Sequence, residues 1–282
     1  MSDSAAHYYV PENSKWPILG ALAALATVCG LLLLFNELPG GTAVLGGGLA
    51  FLFYVMYGWW RDVAAESEGG RYKNWEDMSF RWGMGWFIFS EVMFFAGFFG
   101  ALFYARALSV PDLGDVHSKF IWPQFDAVWP TAGPHYRGEF GTIPAFGVPL
   151  ANTLILLTSG ATVTWAHWAL KINNRAQLAV GLALTVVLGI IFLGLQAEEY
   201  LHAYNDLNLR LDTGIYGSTF FMLTGFHGLH VTIGTISLAV ILARCLAGHF
   251  KPEHHFGFEA VAWYWHFVDV VWLLLFVVVY WL

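Results

Sequence analysis

Charge is scarce in this chain: Asp, Glu, Lys and Arg together make up 12% of its 282 residues, about half the share usual in a water-soluble domain. That scarcity, alongside 57% hydrophobic and 18% aromatic residues, excludes an ordinary soluble protein and predicts an integral membrane protein. Positive charge is scarcer still. Lys and Arg number 13 against 20 Asp and Glu, a net charge of −7 at pH 7, which argues against a basic nucleic-acid or anionic-lipid footprint. Cysteine is nearly absent. Cys29 and Cys245 fall in or beside separate apolar runs with no Cys-x-x-Cys spacing, so they read as two small buried thiols rather than a disulfide or metal site. The opening MSDSAAHYYVPENSK lacks a basic n-region followed by a short apolar core and cleavage site, so no removed secretory leader is expected. Internal repeats and low-complexity tracts are missing as well.

What the chain has is apolar length. Stretches near 16–36, 42–60, 82–108, 146–170, 176–203, 214–243 and 257–281 meet the need for roughly 20 apolar residues per bilayer crossing. In hydrocarbon a chain must be helical or close into a barrel, and these runs are about twice the length of barrel strands. The predicted fold is therefore all-α, with seven transmembrane helices. Lys15, Arg61, Arg71, Lys73, Arg81, Lys171, Arg175, Arg244 and Lys251 then fall on one side, and Arg106, Lys119, Arg137 and Arg210 on the other. That imbalance predicts a cytoplasmic or matrix N-terminus and a C-terminus on the opposite face.

Two connectors are long. Residues 61–81, RDVAAESEGGRYKNWEDMSFR, mix both signs and divide a two-helix unit, 1–60, from a five-helix unit, 82–282; a groove between the units is one expectation. Residues 109–145 hold Pro111, Pro123, Pro130, Pro134 and Pro144 among aromatics and read as an ordered irregular cap on the outer face.

An ionisable group in hydrocarbon costs at least a few kcal/mol, so it normally faces protein, water or a functional path. The final stretch carries Glu259, His266 and Asp269. At about 100° per residue the first two lie roughly 20° apart and Asp269 about 60° further round, one polar stripe. Trp265 and Trp272 share a different face. Glu91, ten residues beyond Arg81, lies well inside its span and reads either as a proton-relay carboxylate or as a group hydrogen-bonded to a neighbouring helix. His227 and His230 share a face among Gly225, Gly228 and Gly234; interhelical hydrogen bonding is favoured over haem or metal ligation, for which matching partners are not evident. Glu199 and His202 form one Glu-x-x-His, whereas a di-iron bundle needs two. His249, His254 and His255 cluster without a thiolate, so they read as interfacial polar groups, with a labile zinc site conceivable. Trp59, Trp60 and Arg61, and Arg244 with His249, sit where aromatic belts and phosphate-binding cations collect, which makes ordered phospholipid an expectation.

WPILGAL at 16–22, GWWRD at 58–62, SEVMFFAGFFGALF at 90–103, TWAHWAL at 164–170, YGSTFFMLTGFHGLHVTIGT at 216–235 and HHFGFEAVAWYWHFVDVVW at 254–272 together resemble subunit III of haem-copper cytochrome c oxidase over nearly the whole chain. The resemblance implies seven helices arranged as a V, helices 1–2 against 3–7, with phospholipid in the cleft. It also implies no catalytic residue, haem, copper or other metal on this chain, those centres belonging to subunits I and II. The implied function is that of an accessory subunit of a proton-translocating aa3-type oxidase in a bacterial or mitochondrial inner membrane. It would support proton uptake by subunit I, lipid binding and complex stability, with no nucleic-acid partner and with a respiratory supercomplex as a further assembly. Glu91 matches the family's intramembrane carboxylate, and Glu66, Arg244 and His249 match lipid-headgroup positions. Trp168 replaces a family His, PLANT replaces a PLLNT-like helix start, Ala65 stands where some members carry Arg, and the loop before Pro144 differs. The alternatives are subunit III of a quinol oxidase, which typically lacks the first two helices, and, in another class, a membrane transporter or proton channel using Glu91, His227 and His266.

Overall fold

The computed structural model describes residues 13–136 and 138–282; Arg137 and residues 1–12, used above for the side count and the leader reading, lie outside the described residues. Among those residues the chain is all helical apart from its connectors, with seven helices long and apolar enough to cross a membrane. They are α1 (Trp16–Phe35), α2 (Gly41–Glu68), α3 (Asn74–Leu113), α4 (Val148–Lys171), α5 (Arg175–Asn205), α6 (Gly214–Leu246) and α7 (Phe256–Trp281). Two of them change pitch, α3 through a π-helical turn at Tyr104–Ser109 and α7 through one at Phe276–Trp281.

Several helices outrun the apolar stretches that mark them. α2 continues to Glu68 and α3 begins at Asn74, so most of the charged 61–81 segment is helical. Hydropathy reports where hydrocarbon ends, and a helix keeps its hydrogen bonds beyond that point in water. Cys29 corrects one expectation: it is exposed on α1, while Cys245 is buried. In a two-helix hairpin an apolar residue has a lipid-side face available, so an apolar run does not imply burial.

The chain divides into two compact units, one ending at Phe80 and one running from Arg81 to Leu282. In the first, α1 and α2 meet at glycines. A Cβ on Gly30 or Gly48 would collide with the backbone of Leu45 or Thr27 respectively, the close approach that small residues permit between helices in lipid. At the charged end the Trp16 ring lies over Gly58, and its indole N–H donates to Asp62 Oδ2 at 2.7 Å.

In the second unit α7 is the most enclosed helix, with just over half of its apolar window buried against about a tenth for α3. Trp265 and Trp272 are fully buried. Their indole N–H groups donate to Ser159 Oγ and Thr153 Oγ1 of α4, each at 2.9 Å. Both hydroxyls give their own protons to α4 carbonyls, at Leu156 and Pro149, and so have lone pairs left to accept. The Trp265 ring occupies space that a Cβ on Gly189 of α5 or Gly234 of α6 would need. One side chain thus sets the spacing of four helices.

Candidate functional site

Every intramembrane polar residue predicted from the sequence lies in the second unit, and they form separate contacts rather than one centre. At the charged end of α7, Arg81 of α3 donates to Glu259 Oε2 at 2.6 Å. His255 Nε2 is 3.1 Å and His167 Nε2 3.7 Å from the other carboxylate oxygen. Further along α7, the ring of His266 lies 3.2 Å through Nε2 from Thr164 Oγ1 and 3.5 Å through Nδ1 from Asp269 Oδ2. Thr164 gives its proton to the Gly160 carbonyl and therefore accepts from His266. Asp269 approaches α4 where Gly160 has no side chain to block it. The stripe Glu259, His266, Asp269 thus runs along His167, Thr164 and Gly160 of α4.

Near mid-span a carboxylate of α3 meets an imidazole of α6: Glu91 Oε2 lies 2.8 Å from His230 Nε2. The other ring nitrogen of His230 is 2.6 Å from the Phe226 carbonyl. A carbonyl only accepts, so Nδ1 carries the proton there, and Nε2 of a neutral ring is then an acceptor. The contact with Glu91 therefore needs one further proton, held as carboxylic acid beside neutral imidazole or as carboxylate beside imidazolium. Phe94 and Phe95 pack against the imidazole. His227, three residues earlier, turns elsewhere. Its Nε2 donates to the Val268 carbonyl of α7 at 3.2 Å, and its ring lies against Trp272 and Phe192.

A further buried carboxylate stands outside the residues selected from sequence. Glu199 of α5 accepts from Tyr280 at 2.6 Å and from Gln196 at 3.2 Å through Oε1, while Oε2 has no partner among the described residues. The signal was its Glu-x-x-His spacing, but His202 points away to exposed Asp206 at 2.7 Å. A carboxylate so enclosed depends on its donors, so Tyr280→Phe should lower stability by about 1–2 kcal/mol, read as an earlier midpoint on heating the detergent-purified protein. An unchanged midpoint would mean that the Tyr280 contact contributes nothing.

The predicted headgroup residues divide between the units. In the first, Tyr72 donates to Glu66 Oε2 at 2.6 Å, Arg71 lies 4.0 Å away, and Trp60 and Arg61 are exposed. Lys15, Trp59, Glu66 and Arg71 line an open groove of about 510 Å³. In the second, Arg244 Nε donates to His249 Nδ1 at 3.2 Å and its guanidinium lies over the Phe250 ring. Arg175 fixes the same turn by donating to the His249 and Phe250 carbonyls. Of the three clustered histidines, His249 thus joins Arg244 and His255 joins His167.

Seven spanning helices whose interior ionisable groups are tied across helix contacts define a polytopic α-helical membrane protein. A model of the family described as cytochrome c oxidase subunit III matches residues 6–282. Relatives called cytochrome c oxidase subunit 3 include those of Pongo abelii, 47% identical with 100% of this chain and 99% of that protein covered, Prototheca wickerhamii, 45% over 97% and 96%, and Drosophila melanogaster, 45% over 100% and 99%. The chain belongs to the cytochrome c oxidase subunit III family. It is accordingly a multi-pass membrane subunit of a multi-subunit oxidoreductase of the aerobic respiratory chain.

Proposed function

We propose that this chain is an accessory, non-redox subunit of a proton-translocating aa3-type oxidase in a bacterial or mitochondrial inner membrane. In this reading it packs on subunits I and II, supports proton uptake by subunit I and holds phospholipid. Haem and copper reside in the partner subunits, and the N-terminus faces the cytoplasm or matrix. The observation that carries the reading is the occupation of the mid-span histidines: His230 is engaged by Glu91 and Phe226, and His227 by Val268. Imidazoles used this way serve helix contact and proton storage rather than ligation of a redox centre. Lipid holding draws on Trp60, Arg61 and Glu66 in the first unit and on Arg244 and His249 in the second, where cations and aromatic rings meet the headgroup depth. The 510 Å³ groove beside Glu66 supports the first of these.

Purification through a tag on this chain is expected to recover haem and copper in fixed proportion to it. In that complex, replacing Arg244 and His249 together by Ala should reduce bound phospholipid and shorten working life during turnover while leaving initial oxygen reduction near the unmodified rate. Loss of initial oxygen reduction at normal lipid content would place this chain directly in catalysis and overturn the accessory reading.

A further inference from the structure

Glu199 is held through one oxygen only. Tyr280 and Gln196 both donate to its Oε1, while Oε2 has no partner among the described residues. Gln196 Oε1 and both amide atoms of Asn152 on α4 are likewise without one there. All three side chains are enclosed, with exposures of 3%, 5% and 0% for Glu199, Gln196 and Asn152. We propose that these residues form a binding site for an internal water molecule, which bridges α4 and α5 in the half of the five-helix unit remote from its charged end. The site does not depend on the accessory role proposed above.

Helix register brings the three groups to one level. The Trp265 indole reaches from Ser159 of α4, to which it donates, to Gly189 of α5, which has no Cβ to obstruct the ring. α4 and α5 run antiparallel here, with Thr162 opposite Thr185 at 2.8 Å and Ala166 opposite Gly181. Seven residues make almost two helical turns and return to within about 20° of the same face. Asn152 stands seven residues from Ser159, and Gln196 seven from Gly189, both away from the charged end. The two amides therefore face the same interior space, two turns beyond the Trp265 ring. Glu199 lies one turn further along α5 and is tied to Gln196. Trp272, two turns beyond Trp265 on α7, marks that level as well. It donates to Thr153, the neighbour of Asn152, and its ring packs on Phe192, one turn from Gln196, at 4.8 Å between centroids.

The unsatisfied atoms match what a water offers. A buried polar atom without a partner has lost its hydration and gained nothing in exchange. Here three are acceptors, Glu199 Oε2, Gln196 Oε1 and Asn152 Oδ1, and one is a donor, Asn152 Nδ2. A water accepts the N–H of Asn152 and donates to Glu199 Oε2 and Gln196 Oε1, about three bonds being usual for a buried water. Either face of the Asn152 amide can meet it, since water both gives and accepts. His202, one turn beyond Glu199, is bonded to Asp206 and leaves Oε2 to the water. The competing arrangement is direct contact, with the Asn152 amide donating to the Glu199 carboxylate.

A density map of the assembled oxidase, at a resolution that shows other buried waters, tests this. A peak is expected within hydrogen-bond distance of Glu199 Oε2 and of both amides, and it should be lost in Asn152→Leu, whose apolar side chain offers the water no partner. Absence of the peak from the unmodified complex overturns the proposal, whether or not the Asn152 amide then meets Glu199 directly. So does a peak at cation distance from oxygens alone, which would make this a sodium site. A peak that survives in Asn152→Leu confines the water to α5 and overturns the bridge. If that variant fails to assemble, Gln196→Leu serves in its place with the same expected loss, and the unmodified map decides if neither assembles.

Discussion

Trp265→Ala is expected to detach this chain from the oxidase at temperatures the unmodified complex withstands, the largest single-residue effect foreseen. The indole is fully buried, lies against Gly189 and Gly234, and donates to Ser159. Truncating a buried aromatic ring costs about 3–5 kcal/mol where the surroundings cannot collapse. Collapse is resisted here because each neighbouring helix has a second anchor, such as Trp272 on Thr153. Lipid tails also offer the separated helices an apolar environment as good as the protein's, so packing has to supply the association. Ser159→Ala removes only the acceptor and should cost about 1 kcal/mol. Gly234→Val presses on the same ring from the opposite side and should destabilise by about 1–3 kcal/mol through overpacking. Retention of the chain in the complex across a temperature ramp, followed on native gels, checks all three; an unaltered midpoint for Trp265→Ala would show that the four-helix junction does not depend on this ring.

His230→Phe should be the next most damaging change, at about 1–3 kcal/mol, because it leaves the Glu91 carboxyl in an apolar span without its 2.8 Å partner. Glu91→Leu should cost a similar amount by leaving His230 Nε2 unsatisfied. The double substitution Glu91→Leu with His230→Phe should recover most of the loss, since replacing both members of a buried polar pair by apolar groups is close to neutral. The coupling from that cycle is expected near 1–2 kcal/mol, at the upper end for hydrogen bonds between membrane helices. Additive losses would mean that the two groups are not partners. Infrared difference spectra of the unmodified complex and Glu91→Gln give a separate reading of the shared proton, because a protonated carboxyl band that vanishes in the variant places it on Glu91.

Residues that face one another along a single helix were legible before any fold was known. The stripe Glu259, His266, Asp269 follows from helical period alone, and it lies along α4 in the folded chain. Its partners were not legible. Arg81 precedes Glu259 by 178 positions, and His167 is marked in the sequence only by its place in the TWAHWAL block. Glu199 and Tyr280, 81 residues apart, carry no sequence signal as a pair, because tyrosine near the end of an apolar span reads equally well as an interfacial residue. His227 and His230 show the limit most plainly. Three residues apart on one helix, they serve α7 and α3 respectively, a division that spacing could not reveal.

The sequence by itself determined that the chain is helical, how many times it crosses the membrane and which family it joins. Each of these depends on local quantities: apolar length against bilayer thickness, the backbone's need for internal hydrogen bonds in hydrocarbon, and contiguous motifs. Tertiary structure decided which polar groups meet, because that depends on how each helix is rotated and shifted against its neighbours. Those rotations are set by close fits such as Trp265 against Gly189 and Gly234, whose members are distant in sequence and whose tolerance is a fraction of an ångström. A carboxylate's partner is fixed only once those fits are made, and that is why the gathering of His167, His255 and Glu259 is a property of the folded chain.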